Sequence, residues 1–125
     1  MGLLIKSANL LGVDLLASDR GKLGAVREVF VDVDTGRAAF LIVEGARLLG
    51  GTGKFHPVPW EHVAFDPEQR AFRAELTKDA LKASPAYDRE QLNAEGYGWD
   101  EQSRKYFQAL GGASAAAPPP VEFNP

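Results

Sequence analysis

Two aspartates and a glycine in the segment VDVDTGRAAFLIVEG have the spacing with which a calcium loop of the EF-hand type begins. A loop starting at Asp32 needs an oxygen ligand at its fifth position, a glycine at its sixth and a glutamate at its twelfth. These positions hold Gly36, Arg37 and Val43. The segment therefore lacks the ligands of a calcium loop, and its β-branched and aromatic flanks favour a hairpin that turns at Asp34.

The two histidines, His56 and His62, could do a second kind of chemistry. With Glu61 they would offer two imidazoles and a carboxylate to a metal ion or a small ligand, provided that the corner at Trp60 folds them together. On an extended chain, however, six residues separate the histidines by about 20 Å. We expect both to be surface or half-buried residues, and we keep a metal or small-ligand site at His56, Glu61 and His62 as an alternative.

The sequence contains few residues that could carry out covalent catalysis. The chain has no cysteine, which excludes thiolate nucleophiles and cysteine-ligated zinc. No serine stands beside a histidine or in a Gly-x-Ser-x-Gly motif. The glycine-rich segment 45–54 lacks the Ser or Thr and the helix that a phosphate loop requires after Lys54, so we interpret it as a flexible hairpin loop. The sequence thus predicts no catalytic residues, no cofactor and no enzymatic activity.

Composition and charge narrow the class of protein. The chain has 125 residues, 45% of them hydrophobic and 25% charged, which is typical of one soluble globular domain. Its formal net charge of −3 gives no basic surplus for direct binding to nucleic acid. The longest apolar run, AAFLIV, is far shorter than the roughly 20 residues of a membrane span. We expect a cytoplasmic bacterial protein with no membrane span.

Period-two patterns predict five or six short strands between residues 10 and 76, and hence a small, mainly β fold, an antiparallel barrel or sandwich. In the longest pattern the odd positions from 23 to 33, except Arg27, are apolar and are expected to form one buried face. The residues expected to face the core are Val13, Leu15, Leu23, Ala25, Val29, Val31, Val33, Leu41, Val43, Val58, Trp60, Val63, Phe65, Phe72, Ala74 and Leu76.

The composition changes after the last strand. Thr77 is the expected N-cap of a short helix that ends before Pro85, and two more helical pieces follow. We divide the chain into an N-terminal arm (1–9), a β-barrel domain (10–88), a helical extension (89–110) and a disordered Ala/Pro-rich tail (111–125).

An ordered set of motifs along residues 8–88 resembles the PRC-barrel domain family. The set consists of a leading glycine, a turn with Asp and two glycines, a hairpin turn, a Val-Pro-Trp segment and a closing Leu, Pro and Tyr. The matching residues are Gly12, Asp19, Gly21, Gly24, Val26, Asp34, Gly36, Arg37, Val58, Pro59, Trp60, Leu81, Pro85 and Tyr87. The closing motif is one residue longer here, because Ser84 precedes the proline.

The resemblance implies a small, strongly bent β-barrel that works as a docking module and not as an enzyme. The family includes the cytoplasmic part of the photosynthetic reaction-centre H subunit and the C-terminal domain of the ribosome maturation factor RimM. The lack of a membrane helix and of an N-terminal RNA-processing domain leads us to expect a stand-alone member. A ribosome-associated factor that acts through a ribosomal protein is a further alternative that the resemblance leaves open.

One feature of the hairpin predicts a contact surface. Phe30, Phe40 and Ile42 are expected on its outer face, so the strand is apolar on both sides and needs a second covering layer. The cover could be the C-terminal helices, a second copy of the chain or an unknown protein partner. Our leading hypothesis is a non-catalytic adaptor that forms a homodimer through these three residues, with Trp60 as an anchor in the core or in a groove. If the cover is instead intramolecular, we expect Trp99, Tyr106 and Phe107 to supply it.

Overall fold

Six strands form one curled, half-barrel sheet. A computed structural model describes residues 3–45 and 54–110, and in these stretches the strand order is β4-β3-β2-β1-β6-β5. The strands are β1 (Asp14–Leu16), β2 (Lys22–Asp32), β3 (Arg37–Gly45), β4 (Phe55–Pro59), β5 (Val63–Asp66) and β6 (Ala71–Ala74). The mainly β barrel-like fold predicted from the sequence is confirmed.

The pairing between β1 and β6 departs from the expected antiparallel pattern. Leu15 and Leu16 pair with Phe72 and Arg73 in parallel, whereas the other neighbouring strands are antiparallel. The parallel pair joins β6, and through it β5, to the side of β1 that does not pair with β2. A purely antiparallel barrel was therefore wrong at this pair.

Short helices flank the sheet. Among the described residues, single turns of 3₁₀ helix lie at Ser7–Leu10 and Trp60–His62, and the α-helices are α1 (Lys78–Ala83), α2 (Arg89–Asn93) and α3 (Trp99–Leu110). The Thr77 hydroxyl accepts a hydrogen bond from the Ala80 N–H at 3.0 Å, which confirms the predicted N-cap of α1. The expectations for the glycine-rich loop and the Ala/Pro-rich tail concern residues 46–53 and 111–125, which lie outside the described residues.

The first of two apolar clusters fills the concave side of the sheet. It combines residues from all the strands with one side chain from α1 and one from α3. Its buried members are Leu15, Ala17, Leu23, Val26, Leu41, Val43, Val58, Val63, Phe72, Ala74, Leu76, Leu81 and Phe107. The alternation predicted for β6, with Phe72 and Ala74 inside and Arg73 outside, is confirmed.

The second apolar cluster lies on the opposite face of β3. Its buried members are Phe40, Ile42, Phe55, Tyr87, Leu92 and Trp99. Since Leu41 and Val43 belong to the first cluster, successive residues of β3 enter two different cores. The prediction that β3 is apolar on both faces is confirmed.

The end of β2 differs from the sequence-based expectation. Val31 and Val33, predicted to face the core, are 55% and 87% exposed. The pairing of β2 with β3 shifts register twice, after Val26 and after Phe30, so strict alternation does not continue along the strand. In addition, β4 pairs with β3 only as far as Phe40. The tip of the β2–β3 hairpin therefore extends beyond the end of β4.

Trp60 also departs from its predicted place in the core. It begins the 3₁₀ turn after β4, which interrupts the period-two pattern that carries Val58 inward. The indole is 38% exposed and packs edge-on against Phe72, with ring centroids 5.7 Å apart. Trp60 is thus at the margin of the first cluster.

The hairpin turn explains the paired aspartates. Asp32 Oδ1 accepts hydrogen bonds from the backbone N–H groups of Asp34, at 2.9 Å, and Thr35, at 3.3 Å. Gly36 has a φ of 75°, a conformation that favours glycine. The turn predicted at Asp34 is therefore present, and the carboxylate that holds it together is that of Asp32.

Candidate protein-interaction surface

The C-terminal helices cover the outer face of the β2–β3 hairpin. The Trp99 ring packs edge-on against Phe30 and Phe40, with centroid distances of 4.9 and 5.1 Å. Its indole N–H donates to the Leu92 carbonyl at 3.0 Å, which ties the start of α3 to the end of α2. Gly98, with a φ of 87°, allows the reversal between these helices.

Because of this cover, two of the three predicted contact residues are buried within the chain. Phe40 and Ile42 are buried inside the chain, whereas Phe30 is partly exposed. Of the three residues expected to supply an intramolecular cover, Trp99 does so, but Phe107 belongs to the first cluster and Tyr106 packs against it. For Phe40 and Ile42, the cover that the structure shows is thus intramolecular.

Arg104 links α3 to the corner after β4. Its guanidinium lies over the Phe40 ring, 4.8 Å from the centroid, and donates to Glu61 Oε2 at 2.8 Å. Both charged side chains are substantially exposed, so the ion pair contributes little stability by itself. The pair directs the Glu61 carboxylate toward α3.

His56 makes a contact that the sequence did not reveal. Its Nδ1 lies 2.9 Å from Ser84 Oγ, and the Ser84 hydroxyl donates to the Leu81 carbonyl at 2.6 Å. Because the hydroxyl proton is directed to Leu81, His56 must donate through Nδ1–H. The imidazole therefore cannot act as a base toward this serine, and the pair links β4 to the end of α1.

His62 is buried against α3. Its ring lies edge-on to Phe107, with centroids 5.3 Å apart, and burial lowers its pKa, although Glu61 acts in the opposite direction. Burial also lowers the pKa of His56. Both imidazoles are thus held toward their neutral forms in the folded protein.

These lowered pKa values predict that the protein loses stability in mild acid. The unfolded chain takes up protons near the ordinary histidine pKa of 6.5, whereas folded His56 and His62 do so only at lower pH. Their contribution is complete above that pKa and is lost as the pH falls through it toward the folded values. Urea unfolding at pH 7.5 and 5.5 measures the loss, and the double variant His56→Gln/His62→Gln should show a smaller one. An equal loss in the double variant would contradict the prediction.

The alternative metal site is not assembled in this structure. Within residues 3–45 and 54–110, no three His, Asp or Glu side chains are grouped so that they could hold a metal ion. His56 is directed to Ser84, His62 to Phe107 and Glu61 to Arg104.

One edge of β2 is left unpaired by the described strands over its second half. β1 pairs with β2 only as far as Ala25, and backbone bonds from Gly12 and Val13 extend this contact to Val26. In the part of the chain that the structure describes, no strand pairs with residues 27–32 on this side. An edge of this kind presents free backbone donors and acceptors.

The edge strand β4 is protected by contrast. Pro57 and Pro59 have no N–H to donate. Phe55 exchanges backbone hydrogen bonds with Tyr87, its N–H donating at 2.8 Å and its carbonyl accepting at 2.9 Å. This edge is therefore a poor site for pairing with another chain.

A cleft of about 420 Å³ lies between the β2–β3 hairpin and α2. Its floor is apolar and its rim is polar and charged. The floor residues are Phe30, Ile42, Phe55 and Leu92, and the rim includes Arg27, Glu28, Arg89 and Asn93. Four consecutive residues of β2, 27–30, line it. These residues belong to the stretch of β2 beyond Val26 with which no described strand pairs on the β1 side, so the cleft reaches this open edge.

The wall that α2 contributes is fixed by a capping box. The Asp88 carboxylate accepts from the Gln91 N–H at 2.8 Å, and the Gln91 side chain accepts from the Asp88 N–H at 2.9 Å. Arg89, the first residue of this helix, places its guanidinium over the Phe55 ring, 5.4 Å from the centroid. Burial of Leu92 in the second cluster fixes the other end of the helix.

Several residues of the motif set have structural roles. Gly24 lies so close to β3 that a Cβ would meet the Glu44 carbonyl oxygen at 2.3 Å. Asp19 Oδ1 accepts from the Gly21 N–H at 2.9 Å. Tyr87 belongs to the second cluster, and Leu81 to the first.

Comparison with known proteins agrees with this reading of the motifs. No helix among the described residues has the length and apolar character needed to cross a membrane. No curated protein is similar enough to the sequence to count as a match. The model of the PRC-barrel domain family matches residues 4–81, which include all six strands and most of α1. Because this match covers more than half of the chain, the protein belongs to the PRC-barrel domain family.

Proposed function

We propose that this PRC-barrel protein is a protein-interaction module that acts by contact and not by catalysis. The observation that carries the proposal is the unpaired edge of β2 beyond Val26. Such an edge can bind an extended segment through backbone hydrogen bonds. The exposed side chains of Val31 and Val33 add an apolar contact at the same place.

We further propose a second copy of the chain as the partner. Identical strand edges can pair antiparallel about a two-fold axis, which gives a closed dimer. The contact lies beside Phe40 and Ile42, since these are already covered, and it includes the exposed part of Phe30. Trp60, on the margin of the first cluster, stays a candidate for a separate contact.

Sedimentation velocity over a series of protein concentrations tests the dimer. We expect a dimer fraction that rises with concentration and that Val31→Lys abolishes, because a lysine on the edge opposes strand pairing. Glu68→Lys, in the exposed turn between β5 and β6, is the matched control and should leave the dimer unchanged. A strict monomer at high micromolar concentration would contradict self-association.

A different partner would be identified by photo-crosslinking in the native cells. A photoreactive residue at position 31 should give a defined crosslinked product, and one at position 68 should not. A product that contains another protein would replace the homodimer by a heterologous complex. The absence of any defined product from position 31 would contradict the interaction module itself.

A further inference from the structure

The cleft beside α2 is open, with an apolar floor and a polar, charged rim. Phe30, one of the floor residues, keeps exposed atoms even with Trp99 packed against its ring. Phe55, Ile42 and Leu92 complete an apolar floor within a volume of about 420 Å³. Sites that bind small groups are usually concave, partly apolar and of comparable volume, so the cleft has room for one.

The rim of the cleft carries a cation that has no acidic partner among the described residues. Arg27 is paired with Glu44, its Nε lying 2.8 Å from Oε1. Among the ion pairs formed within residues 3–45 and 54–110, none involves Arg89, whose guanidinium packs only on the Phe55 ring. A ligand that joins an apolar side chain to a carboxylate therefore matches the floor and the rim together.

The sequence after α3 contains a segment with this chemistry. In GGASAAAPPPVEFNP, residues 111–125, Phe123 is the only aromatic residue and Glu122 the only charged one. In an extended segment, neighbouring side chains point in opposite directions, so one can face the floor while the other faces the rim. The three preceding prolines restrict the backbone and lower the entropy lost on binding.

The segment is also long enough to reach the cleft. The 12 residues of α3 span about 17 Å, and its first residue, Trp99, touches the cleft at Phe30. The thirteen residues that follow Leu110, up to Phe123, can extend over about 43 Å. The chain can therefore return along α3 to the cleft with length to spare.

We propose that tail segment 121–123 binds in this cleft of its own chain. The Phe123 ring contacts Phe30 and Phe55, and the Glu122 carboxylate pairs with Arg89. Because the cleft reaches the open edge of β2, the docked tail competes there with a partner strand. The docking goes beyond the proposed interaction with a partner and does not depend on it.

Paramagnetic relaxation on the full chain tests the docking. The protein has no native cysteine, so Asn124→Cys gives one site for a nitroxide label next to Phe123. We expect the label to broaden the amide signals of residues 28–30 and 92–93 several-fold more than that of Glu68. Glu68 is the internal reference because it lies in the turn that follows β5, and β5 is three strands away from β2 in the sheet order.

Two variants of the labelled protein define the contact. Phe123→Ser should remove the selective broadening. Arg89→Glu should weaken it, and this change keeps α2 stable because an acidic residue suits the first turn of a helix. Lys82→Glu, which replaces an exposed cation on α1, is the matched control and should have no effect.

The same experiment distinguishes docking of the tail within its own chain from docking onto a second copy. In a mixture of isotope-labelled chains without nitroxide and nitroxide chains without isotope, docking within one chain gives no selective broadening. Broadening that appears in this mixture, or that persists with Phe123→Ser, would overturn the proposal. So would equal broadening at the cleft and at Glu68. A negative result here leaves the crosslinking result at position 31 unaffected, so the two proposals fail separately.

Discussion

Replacing Trp99 by alanine is expected to lower the free energy of unfolding by about 3–5 kcal/mol. The side chain is 8% exposed and packs against two phenylalanine rings. It also donates a hydrogen bond to Leu92. Its removal leaves a cavity in the second cluster, whose walls belong to the sheet and to both terminal helices and cannot collapse without moving them. Urea unfolding followed by circular dichroism measures the loss.

The other tryptophan provides a matched control for this variant. Trp60→Ala should cost about 1–2 kcal/mol, because the indole is partly exposed and has one aromatic contact. Hydrogen exchange should locate the two effects differently. Trp99→Ala should speed exchange in α2 and in the first half of α3, and Trp60→Ala should not. Equal losses of stability in the two variants would show that the helices do not depend on Trp99.

The second large effect is expected at Gly24. An added Cβ would lie 2.3 Å from the Glu44 carbonyl oxygen and 2.8 Å from Val43 Cγ1. The first of these atoms is backbone, so the contact can be relieved only if β2 and β3 move apart. We expect Gly24→Ala to cost about 3 kcal/mol, at the upper end of the usual range for overpacking. Thermal and urea unfolding both measure this loss.

Gly21→Ala is the control for the same chemical change. At Gly21 the nearest atom to an added Cβ is Asp19 Oδ1, at 3.1 Å, which belongs to a side chain that can rotate away. The φ of Gly21 is not positive, so alanine is not strained there, and its lower chain entropy offsets part of the contact cost. We expect a loss below about 1 kcal/mol. A similar loss at both positions would show that the approach of β2 to β3 is looser than described.

Local patterns predicted much of the secondary structure. The N-cap at Thr77, the turn after Asp32 and the alternation in β6 depend on residues close together in sequence, and each is confirmed. The two apolar faces of β3 could likewise be predicted, because successive residues of a strand point to opposite sides. The family followed from the order of several weak motifs along the chain.

The candidate surface could be predicted only in part. Phe30 was identified as a surface residue of the hairpin, and it does line the cleft. The exposure of Val31 could not be foreseen, since it depends on two register shifts against β3. Arg89 carried no signal, because its place on the rim depends on how α2 packs against Phe55.

Strand period, turns and caps are set by neighbouring residues, so the class of this protein, a small mainly β domain with flanking helices, could be predicted from them. Which apolar face is covered and which edge is open depends instead on how distant segments pack. Trp99 meets Phe30 across a large separation in sequence, and His56 meets Ser84 across 28 residues. Such contacts are selected by the packing of the whole chain, and no local pattern records them.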